Sequence, residues 1–279
     1  MFWRASMRSS YSSRMRYEGM VIDPHVHLDL GLDNRVGEAP QTLSDYEAMT
    51  APLNLRASGV LVMATPELDR ARRLNDAALA LAEQPNWFAL CSAHPHAGEA
   101  ALAEIDRVAA AGARGLKLHP TSQRFDPAHE GVGAIVGRAA EHGLPVLFDG
   151  FSPTDPAQSG KFMELALGHP EAQIVIAHAH FMKFSELLVY PILERYPKFA
   201  RNIWLDLSAT LLFFAGSPYQ EQLEWVLRQV GIDRLIWASD FPLDNPAESL
   251  LALDSYTFTA EEQQTICHDN AMDLFRQLE

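Results

Sequence analysis

Histidine is the residue type that carries the clearest chemical signal in this chain. Seven of the eleven histidines lie at or just after the end of a short apolar run, and these are His25, His27, His94, His96, His119, His178 and His180. His25 and His27 lie two residues apart in the first run. Because residues i and i+2 of a strand point to the same face, both imidazoles can reach one ion. The pair therefore predicts two ligands of a divalent metal.

Two aspartates at the ends of later apolar runs extend this prediction. Asp149 ends the fifth run and Asp240 ends the eighth. In a closed barrel the last strand neighbours the first, so Asp240 can reach the ion held by His25 and His27. A carboxylate there can act as a ligand, as the general base toward a metal-bound water, or as both. An aspartate that only caps the following helix is the alternative.

Lys117 and His119 form a second pair with the spacing of one strand face. We expect both side chains to point into the mouth of the barrel and to bind substrate, with the Lys117 ammonium next to a substrate carboxylate. The alternative for Lys117 is an aliphatic stem that packs on the rim while the ammonium reaches solvent.

The elements that must position these residues are visible as eight apolar runs, which are rich in Val, Ile, Leu and Phe. The runs cover residues 20–27, 59–65, 87–94, 113–119, 144–150, 172–178, 203–208 and 234–240. Helical patterns separate them, and the run ends recur about every 30 residues, the length of a βα unit. The sequence therefore predicts an α/β protein with a single (β/α)8 TIM barrel, with an extra helix near residues 44–47 between strands 1 and 2. A doubly wound sheet would need a glycine-rich turn after the first strand, and none is present there.

Composition limits the classes of function. The chain has 279 residues and a net charge of −14, so we expect neither nucleic-acid binding nor binding to an anionic membrane. No apolar run approaches the length of a transmembrane helix. Two cysteines cannot form a disulfide framework, and we expect a reducing, cytoplasmic location. We expect residues 20–279 to form the barrel and residues 1–19 to be a disordered or mis-assigned extension, with a short organellar transit peptide as the alternative.

At this point an ordered set of motifs resembles a known family. The motifs are Ile22-Asp23-Pro24-His25-Val26-His27, Gly115-Leu116-Lys117-Leu118-His119-Pro120, Ile176-Ala177-His178, Asp206-Leu207-Ser208 and Ala238-Ser239-Asp240-Phe241-Pro242. Together they look like the amidohydrolase-related family of the amidohydrolase superfamily. The resemblance implies a (β/α)8 barrel with one or two divalent metals, often zinc. It also implies hydrolysis of amides, lactones or related bonds, or, in one branch, decarboxylation of aromatic or unsaturated acids.

The resemblance also implies roles for single residues. His25 and His27 match the metal ligands of the first strand. His178 matches a sixth-strand histidine that binds metal or steers the attacking water. Asp240 matches an eighth-strand aspartate that binds metal and takes a proton.

One position departs from the family pattern, because Asp149 stands where the family usually has a fifth-strand histidine. The metal site then consists of His25, His27, Asp149 and Asp240, and we expect one zinc ion, with manganese or magnesium as alternatives. In a second interpretation His178 is the third strong ligand and Asp149 faces the substrate. In a third the enzyme is a metal-free lactonase that uses Asp240 as the base.

These observations lead to a hypothesis of function with alternatives. The leading hypothesis is a metal-dependent hydrolase of a small-molecule amide, lactone or related carbonyl compound, in which Asp240 and His178 are catalytic. The others are a non-oxidative decarboxylase on the same barrel, the metal-free lactonase, and a barrel that only binds a ligand. The expected partner is a small-molecule substrate, and assembly into a homo-oligomer is left open.

Overall fold

Eight parallel strands form the centre of the molecule. The computed structural model describes residues 15–31, 34, 36–37, 41–196 and 199–275. The strands are β1 (Val21–Val26), β2 (Leu55–Leu61), β3 (Trp87–Cys91), β4 (Gly115–Leu118), β5 (Val146–Phe148), β6 (Ile174–Ile176), β7 (Ile203–Asp206) and β8 (Leu235–Ile236). Each strand pairs in parallel with the next in chain order. Val26 also pairs in parallel with Phe241, beyond β8, and the His27 amide donates to the Phe241 carbonyl at 2.8 Å. The sheet therefore closes, and the predicted (β/α)8 barrel is confirmed.

Helices connect the strands and cover the outside of the barrel. They are α1 (Leu43–Thr50), α2 (Leu68–Leu81), α3 (Glu99–Ala110), α4 (Pro120–Gln123), α5 (Glu130–Glu141), α6 (Gln158–Gly168), α7 (Val189–Leu193), α8 (Thr210–Phe214), α9 (Gln220–Val230), α10 (Pro246–Leu253), α11 (Ala260–Gln264) and α12 (Asn270–Leu274). The helix predicted between the first two strands is α1, which begins after Thr42 in a capping box with Asp45. Among the described residues, no helix is long and apolar enough to cross a bilayer.

Two strands differ from the predicted bounds by more than the others do. β2 begins at Leu55 rather than at Gly59, because its polar residue Ser58 is satisfied inside the fold, where its hydroxyl lies 2.9 Å from the Tyr46 hydroxyl. β8 contains only Leu235 and Ile236. The next amide, that of Trp237, donates to the Ile266 carbonyl at 2.9 Å instead of continuing the β-ladder.

The seam between β1 and β8 is held by a buried aspartate. Asp23 Oδ1 accepts a hydrogen bond from the Ser239 amide at 2.9 Å, and Asp23 Oδ2 accepts from the Ser239 hydroxyl at 2.6 Å. The Tyr46 hydroxyl also donates to Oδ2, at 3.0 Å. Burial raises the pKa of Asp23 to about 6, against the lowering effect of these hydrogen bonds. Because the anchored Ser239 precedes Asp240, the seam fixes where Asp240 lies relative to β1.

The N-terminal segment is only partly described. The predicted extension covers residues 1–19, and its first 14 residues lie outside the described residues. From position 15 onward the segment packs on the barrel: the Tyr17 hydroxyl bonds to the Gln264 side chain at 2.9 Å, and the Arg16 amide donates to Asp254 at 2.6 Å.

The capping box at the start of α11 gives a test of local stability. The Thr259 hydroxyl accepts from the Glu262 amide, and the Glu262 carboxylate accepts from the Thr259 amide. We expect Thr259→Ala to lower the free energy of unfolding by about 1 kcal/mol, because it leaves a helix N-terminal amide without its acceptor. Urea denaturation measures this, with the exposed Thr121→Ala as the control. Equal stability of the two variants would contradict the proposed role of the cap.

Candidate metal centre and active site

The carboxyl ends of the strands bring polar side chains into one mouth. Leu147 of β5 and Trp204 of β7 belong to the inner layer of buried residues. Asp149 and Asp206 follow them by two positions, and residues two apart on a strand share a face. Both aspartates therefore point toward the interior, where they meet side chains from β1, β4, β6 and β8.

Three side chains converge within this mouth as a candidate metal centre. Among the described residues, one group of three potential ligands has all its ligand atoms within 4.8 Å of one another. It consists of the buried residues His25, His27 and Asp240. His25 Nε2 lies 3.2 Å from His27 Nε2 and 3.3 Å from Asp240 Oδ1, and His27 Nε2 lies 3.6 Å from the same oxygen. A triangle with these sides has its corners about 2 Å from a common point, which matches zinc bonds to nitrogen and oxygen. The three residues therefore fit a divalent ion.

The two histidines of this centre are supported differently. His25 Nδ1 donates to Asp206 Oδ2 at 2.5 Å, whereas His27 Nδ1 is buried and has no hydrogen-bond partner among the described residues. Burial alone would raise the pKa of Asp206, but the charge and hydrogen bond of His25 lower it to about 2. Burial and the nearby His25 and Lys117 hold the pKa of His27 well below its usual value, so His27 is neutral and suited to bind a cation.

Asp149 lies in a second group rather than with the three converging ligands. Its Oδ2 is 3.5 Å from His178 Nε2 and 3.7 Å from His119 Nε2. The structure thus does not place Asp149 within the triangle of His25, His27 and Asp240, as the four-ligand prediction required. His178, the ligand of the alternative interpretation, is also outside this group, so the choice between Asp149 and His178 stays a prediction.

Asp149 and His178 form an ion pair. Burial alone would lower the pKa of His178, but the hydrogen bond to Asp149 and the charges of Asp240, Asp149 and Asp206 raise it to about 9. Burial likewise opposes ionisation of Asp149, yet His178 and His119 hold its pKa far below the usual value. His178 Nδ1 donates to the Ser208 carbonyl at 3.2 Å, so both ring nitrogens have acceptors, as an imidazolium requires.

Lys117 and His119 extend from β4 into the same mouth. Lys117 is buried, and its Nζ lies 3.5 Å from His25 Nε2. Burial lowers the pKa of Lys117, while the charges of Asp149, Asp240 and Asp206 oppose this effect. Burial also lowers the pKa of His119 to about 4. The lysine therefore does not extend to solvent at the rim, and both side chains line the mouth of the barrel.

Backbone conformations with positive φ are concentrated around this mouth. Four consecutive non-glycine residues after β6 have positive φ: His178 at 59°, Ala179 at 42°, His180 at 59° and Phe181 at 44°. Asp240 also has a φ of 57°. Such conformations cost on the order of 1–2 kcal/mol for each L-residue. The surrounding packing therefore stabilises a strained backbone at the two positions where His178 and Asp240 enter the site.

Three histidines of the predicted rim have structural roles. His180 Nδ1 donates to the Gly150 carbonyl at 2.9 Å, and its Nε2 lies 3.3 Å from the Tyr190 hydroxyl. His94 Nε2 donates to the Gln123 carbonyl at 2.8 Å, and its Nδ1 accepts from the His96 amide at 3.1 Å. His180 therefore joins two connections of the fold, and His94 and His96 form a turn after β3.

Sequence reasoning gave no role to the residues that support the site from β7 and β8. Asp206 and Ser208 belong to a motif noted for the family resemblance alone, yet both contact the imidazole of His25. Their spacing of two positions at the end of an apolar run is the signal that could have identified them. The Ser239 amide donates a hydrogen bond to Asp23, which lies 216 positions earlier in the chain, and no local sequence pattern predicts this contact.

Comparison with known proteins places the chain in a family. A model of the amidohydrolase family matches residues 22–277. A comparison with curated protein sequences found no match.

Solved structures share the fold at low sequence identity. 2,6-Dihydroxybenzoate decarboxylase from Rhizobium is 14% identical with a TM-score of 0.69, and the match covers 93% of this chain and 98% of that chain. A protein from Pseudomonas putida described as a 2-pyrone-4,6-dicarboxylic acid hydrolase is 20% identical with a TM-score of 0.66, covering 91% and 97%. An uncharacterized TIM-barrel protein from Bordetella bronchiseptica is 15% identical with a TM-score of 0.74, covering 93% and 99%. The match over residues 22–277 shows that the chain belongs to the amidohydrolase family.

Proposed function

We propose that the chain is a metal-dependent hydrolase of a small-molecule lactone, amide or related carbonyl compound that carries a carboxylate. The observation that carries this proposal is the triangle formed by His25 Nε2, His27 Nε2 and Asp240 Oδ1. A divalent ion held by these residues would act as a Lewis acid and lower the pKa of a bound water toward 7. A zinc ion suits two imidazoles and one carboxylate, and manganese or magnesium are the alternatives.

Asp240, one corner of the triangle, and His178 beside it supply the base and the hydrogen-bond donor for hydrolysis. Asp240 accepts a proton from the attacking water as the bond to the substrate carbonyl carbon forms. His178, whose Nε2 is a hydrogen-bond donor beside Asp149, donates to the carbonyl oxygen as negative charge develops there. Asp240 then returns its proton to the leaving oxygen or nitrogen as the scissile bond breaks. The products are a carboxylic acid and an alcohol or amine, and Asp240 is again ionised.

The Lys117 ammonium supports an anionic substrate. Lys117 Nζ lies beside His25 in the buried interior, where it would bind a substrate carboxylate, with His119 two positions further along the chain. Two of the structural neighbours are named for ring carboxylic acids, 2,6-dihydroxybenzoate and 2-pyrone-4,6-dicarboxylic acid. Their names agree with this inference.

Decarboxylation of a ring carboxylic acid is the second candidate, and the ion pair of His178 with Asp149 is the observation in its favour. Loss of CO2 leaves an electron pair on carbon that must take up a proton. Burial would lower the pKa of His178, but Asp149 and the other carboxylates raise it to about 9, so His178 is a protonated group in this mouth that could supply the proton. The same Lys117 would bind the substrate before the carbon–carbon bond breaks.

Isotopically labelled water separates the two reactions. The protein would be incubated with carboxylated γ- and δ-lactones, N-acyl amino acids and dihydroxybenzoates in H2¹⁸O, and in parallel in D2O. A hydrolase gives a product acid that carries one ¹⁸O atom from water. A decarboxylase instead releases CO2 and places one deuterium on the ring. Release of CO2 with deuterium on the ring, and no hydrolysis of any lactone or amide, would overturn the proposed function in favour of the decarboxylase.

Removal of the metal tests the other half of the proposal. We expect dialysis against a chelator to abolish hydrolysis and to lower the melting temperature, and Zn²⁺ or Mn²⁺ to restore both. An ion at 100 times its dissociation constant stabilises the folded state by about 2.7 kcal/mol. His25→Ala should respond to neither treatment. Full activity with less than about a tenth of an equivalent of metal would support the metal-free lactonase, because a resident ion should approach one equivalent in a formed site.

A further inference from the structure

Asp206 contacts His25 on the side of the imidazole that faces away from the candidate metal centre. Its Oδ2 accepts from His25 Nδ1, the ring nitrogen that points away from the converging ligands. Its Oδ1 accepts from the Ser208 amide at 2.8 Å. Asp206 is fully buried, so neither bond competes with bulk water. Each carboxylate oxygen therefore has one fixed donor.

We propose that Asp206 is a positioning residue that keeps the proton of His25 on Nδ1 and so leaves Nε2 free to bind the cation. This inference rests on the proposed metal centre. The carboxylate has no proton to donate, so the imidazole nitrogen that faces it must carry one. In a neutral imidazole the other nitrogen then has a lone pair directed at His27 and Asp240.

A second contact agrees with this tautomer. Lys117 Nζ lies 3.5 Å from His25 Nε2, and an ammonium group is a donor without acceptor capacity. If His25 Nε2 carried the proton, its N–H and the Lys117 ammonium would be two hydrogen-bond donors facing one another at this distance. His25 Nδ1 thus faces the Asp206 carboxylate and the Ser208 hydroxyl, whereas Nε2 faces both the Lys117 ammonium and the Asp240 carboxylate at 3.3 Å. A cation bound between Nε2 and Asp240 would be attracted to both of them.

The asymmetry between the two histidines follows from this arrangement. His27 Nδ1 is buried without a hydrogen-bond partner among the described residues, so nothing there fixes its tautomer as Asp206 fixes that of His25. Acceptors behind a ligating histidine typically change metal affinity by 10–100-fold. His25 is therefore the ligand whose orientation is set before the ion binds, and Asp206 should account for much of the affinity of the centre.

The conservative variant Asp206→Asn should be the more damaging one. The Ser208 amide must still find an acceptor, so the carbonyl oxygen of the substituted side chain takes the place of Oδ1 and its NH2 group takes the place of Oδ2. That NH2 group donates to His25 Nδ1 and moves the imidazole proton to Nε2, where it blocks the ion. In Asp206→Ala the space can admit water, and neither tautomer is imposed.

The first experiment measures Zn²⁺ affinity by competition with a chromophoric chelator, without any substrate. We expect Asp206→Ala to weaken binding about 10-fold and Asp206→Asn about 100-fold or more. Asp254→Asn, a buried aspartate that bonds to the Arg16 amide and Gln263 instead, is the matched control and should bind as the wild type does. Affinity of Asp206→Asn within twofold of the wild type would overturn the proposal.

The second experiment reads the tautomer of the wild type directly and needs no bound metal. In the metal-free wild type, a two-bond ¹⁵N–¹H correlation spectrum reports which nitrogen of His25 carries the proton, with His25→Gln used for assignment. We expect the Nδ1-protonated form. Finding the Nε2-protonated form would overturn the inference even if zinc binds. Conversely, the Nδ1-protonated form in a protein that binds no divalent ion would contradict the proposed function and leave the role of Asp206 in fixing the tautomer standing.

Discussion

Asp240→Asn is expected to lower kcat/KM by about 1,000-fold or more, since general base catalysis alone typically contributes 10²- to 10⁴-fold. The substitution removes the carboxylate that lies 3.3 Å from His25 Nε2 and 3.6 Å from His27 Nε2. An amide oxygen at this position cannot accept a proton from water at neutral pH, and it binds a divalent cation less strongly than a carboxylate. The loss therefore combines a missing base with a weakened metal centre.

Steady-state kinetics with zinc in excess separate these two contributions. If Asp240 were only a ligand, saturating zinc would restore kcat/KM to within a few-fold of the wild-type value. We expect kcat to stay low at every zinc concentration, because the proton acceptor is still missing. Asp69→Asn, at an exposed position on α2, serves as the control and should retain wild-type kinetics. A fully active Asp240→Asn enzyme would refute the assignment of the base.

Gly150→Ala is expected to lower the free energy of unfolding by about 3 kcal/mol, the upper end of the usual cost of overpacking. A Cβ atom at position 150 would lie 2.1 Å from the Ala177 carbonyl oxygen and 2.6 Å from the Ile176 Cγ2 atom. The oxygen is part of the backbone where β6 ends, so it cannot turn aside as a flexible side chain could. The ends of β5 and β6 must therefore separate, and they carry Asp149 and His178.

Thermal unfolding monitored by circular dichroism measures the effect on stability. Chains of 150–250 residues lose about 2–4 °C in melting temperature for each kcal/mol. Gly160→Ala is the matched control, because a Cβ there meets no described atom within 4 Å and the residue lies in α6. Alanine is a better helix former than glycine, so Gly160→Ala should be neutral or slightly stabilising. Equal melting temperatures for the two variants would show that the strand ends are not tightly packed.

Much of the fold could be predicted from the sequence because buried parallel strands appear as short, regularly spaced apolar runs. The prediction failed where a strand depends on partners that are distant in the chain. The predicted second run begins at Gly59, because Arg56 and Ser58 interrupt the apolar pattern of β2. Ser58 is satisfied by Tyr46 of α1, a contact that no window of the β2 sequence reveals. β8 is shortened because Ile266, far along the chain, takes the bond of the next amide.

The candidate site was predictable to the extent that strand alternation and barrel closure determine it. These two rules are enough to predict that His25, His27 and Asp240 approach one another. They predict that Asp149 points into the mouth. They do not predict that its carboxylate lies next to His119 and His178 instead of with the three converging ligands. They also do not reveal Asp206, because its contact with His25 joins residues 181 positions apart and lies on the side of the imidazole away from the site.

The seam held by Asp23 and Ser239 has a consequence for biosynthesis. Domains generally fold as units during synthesis, and a domain whose last strand is missing cannot complete its fold. A nascent chain that has emerged only through β7 contains both His25 and His27, but the partners that close the barrel against β1 have not yet emerged. An ion that needs Asp240 as well can be captured only after β8 has joined β1, so cofactor acquisition would be among the last events in maturation.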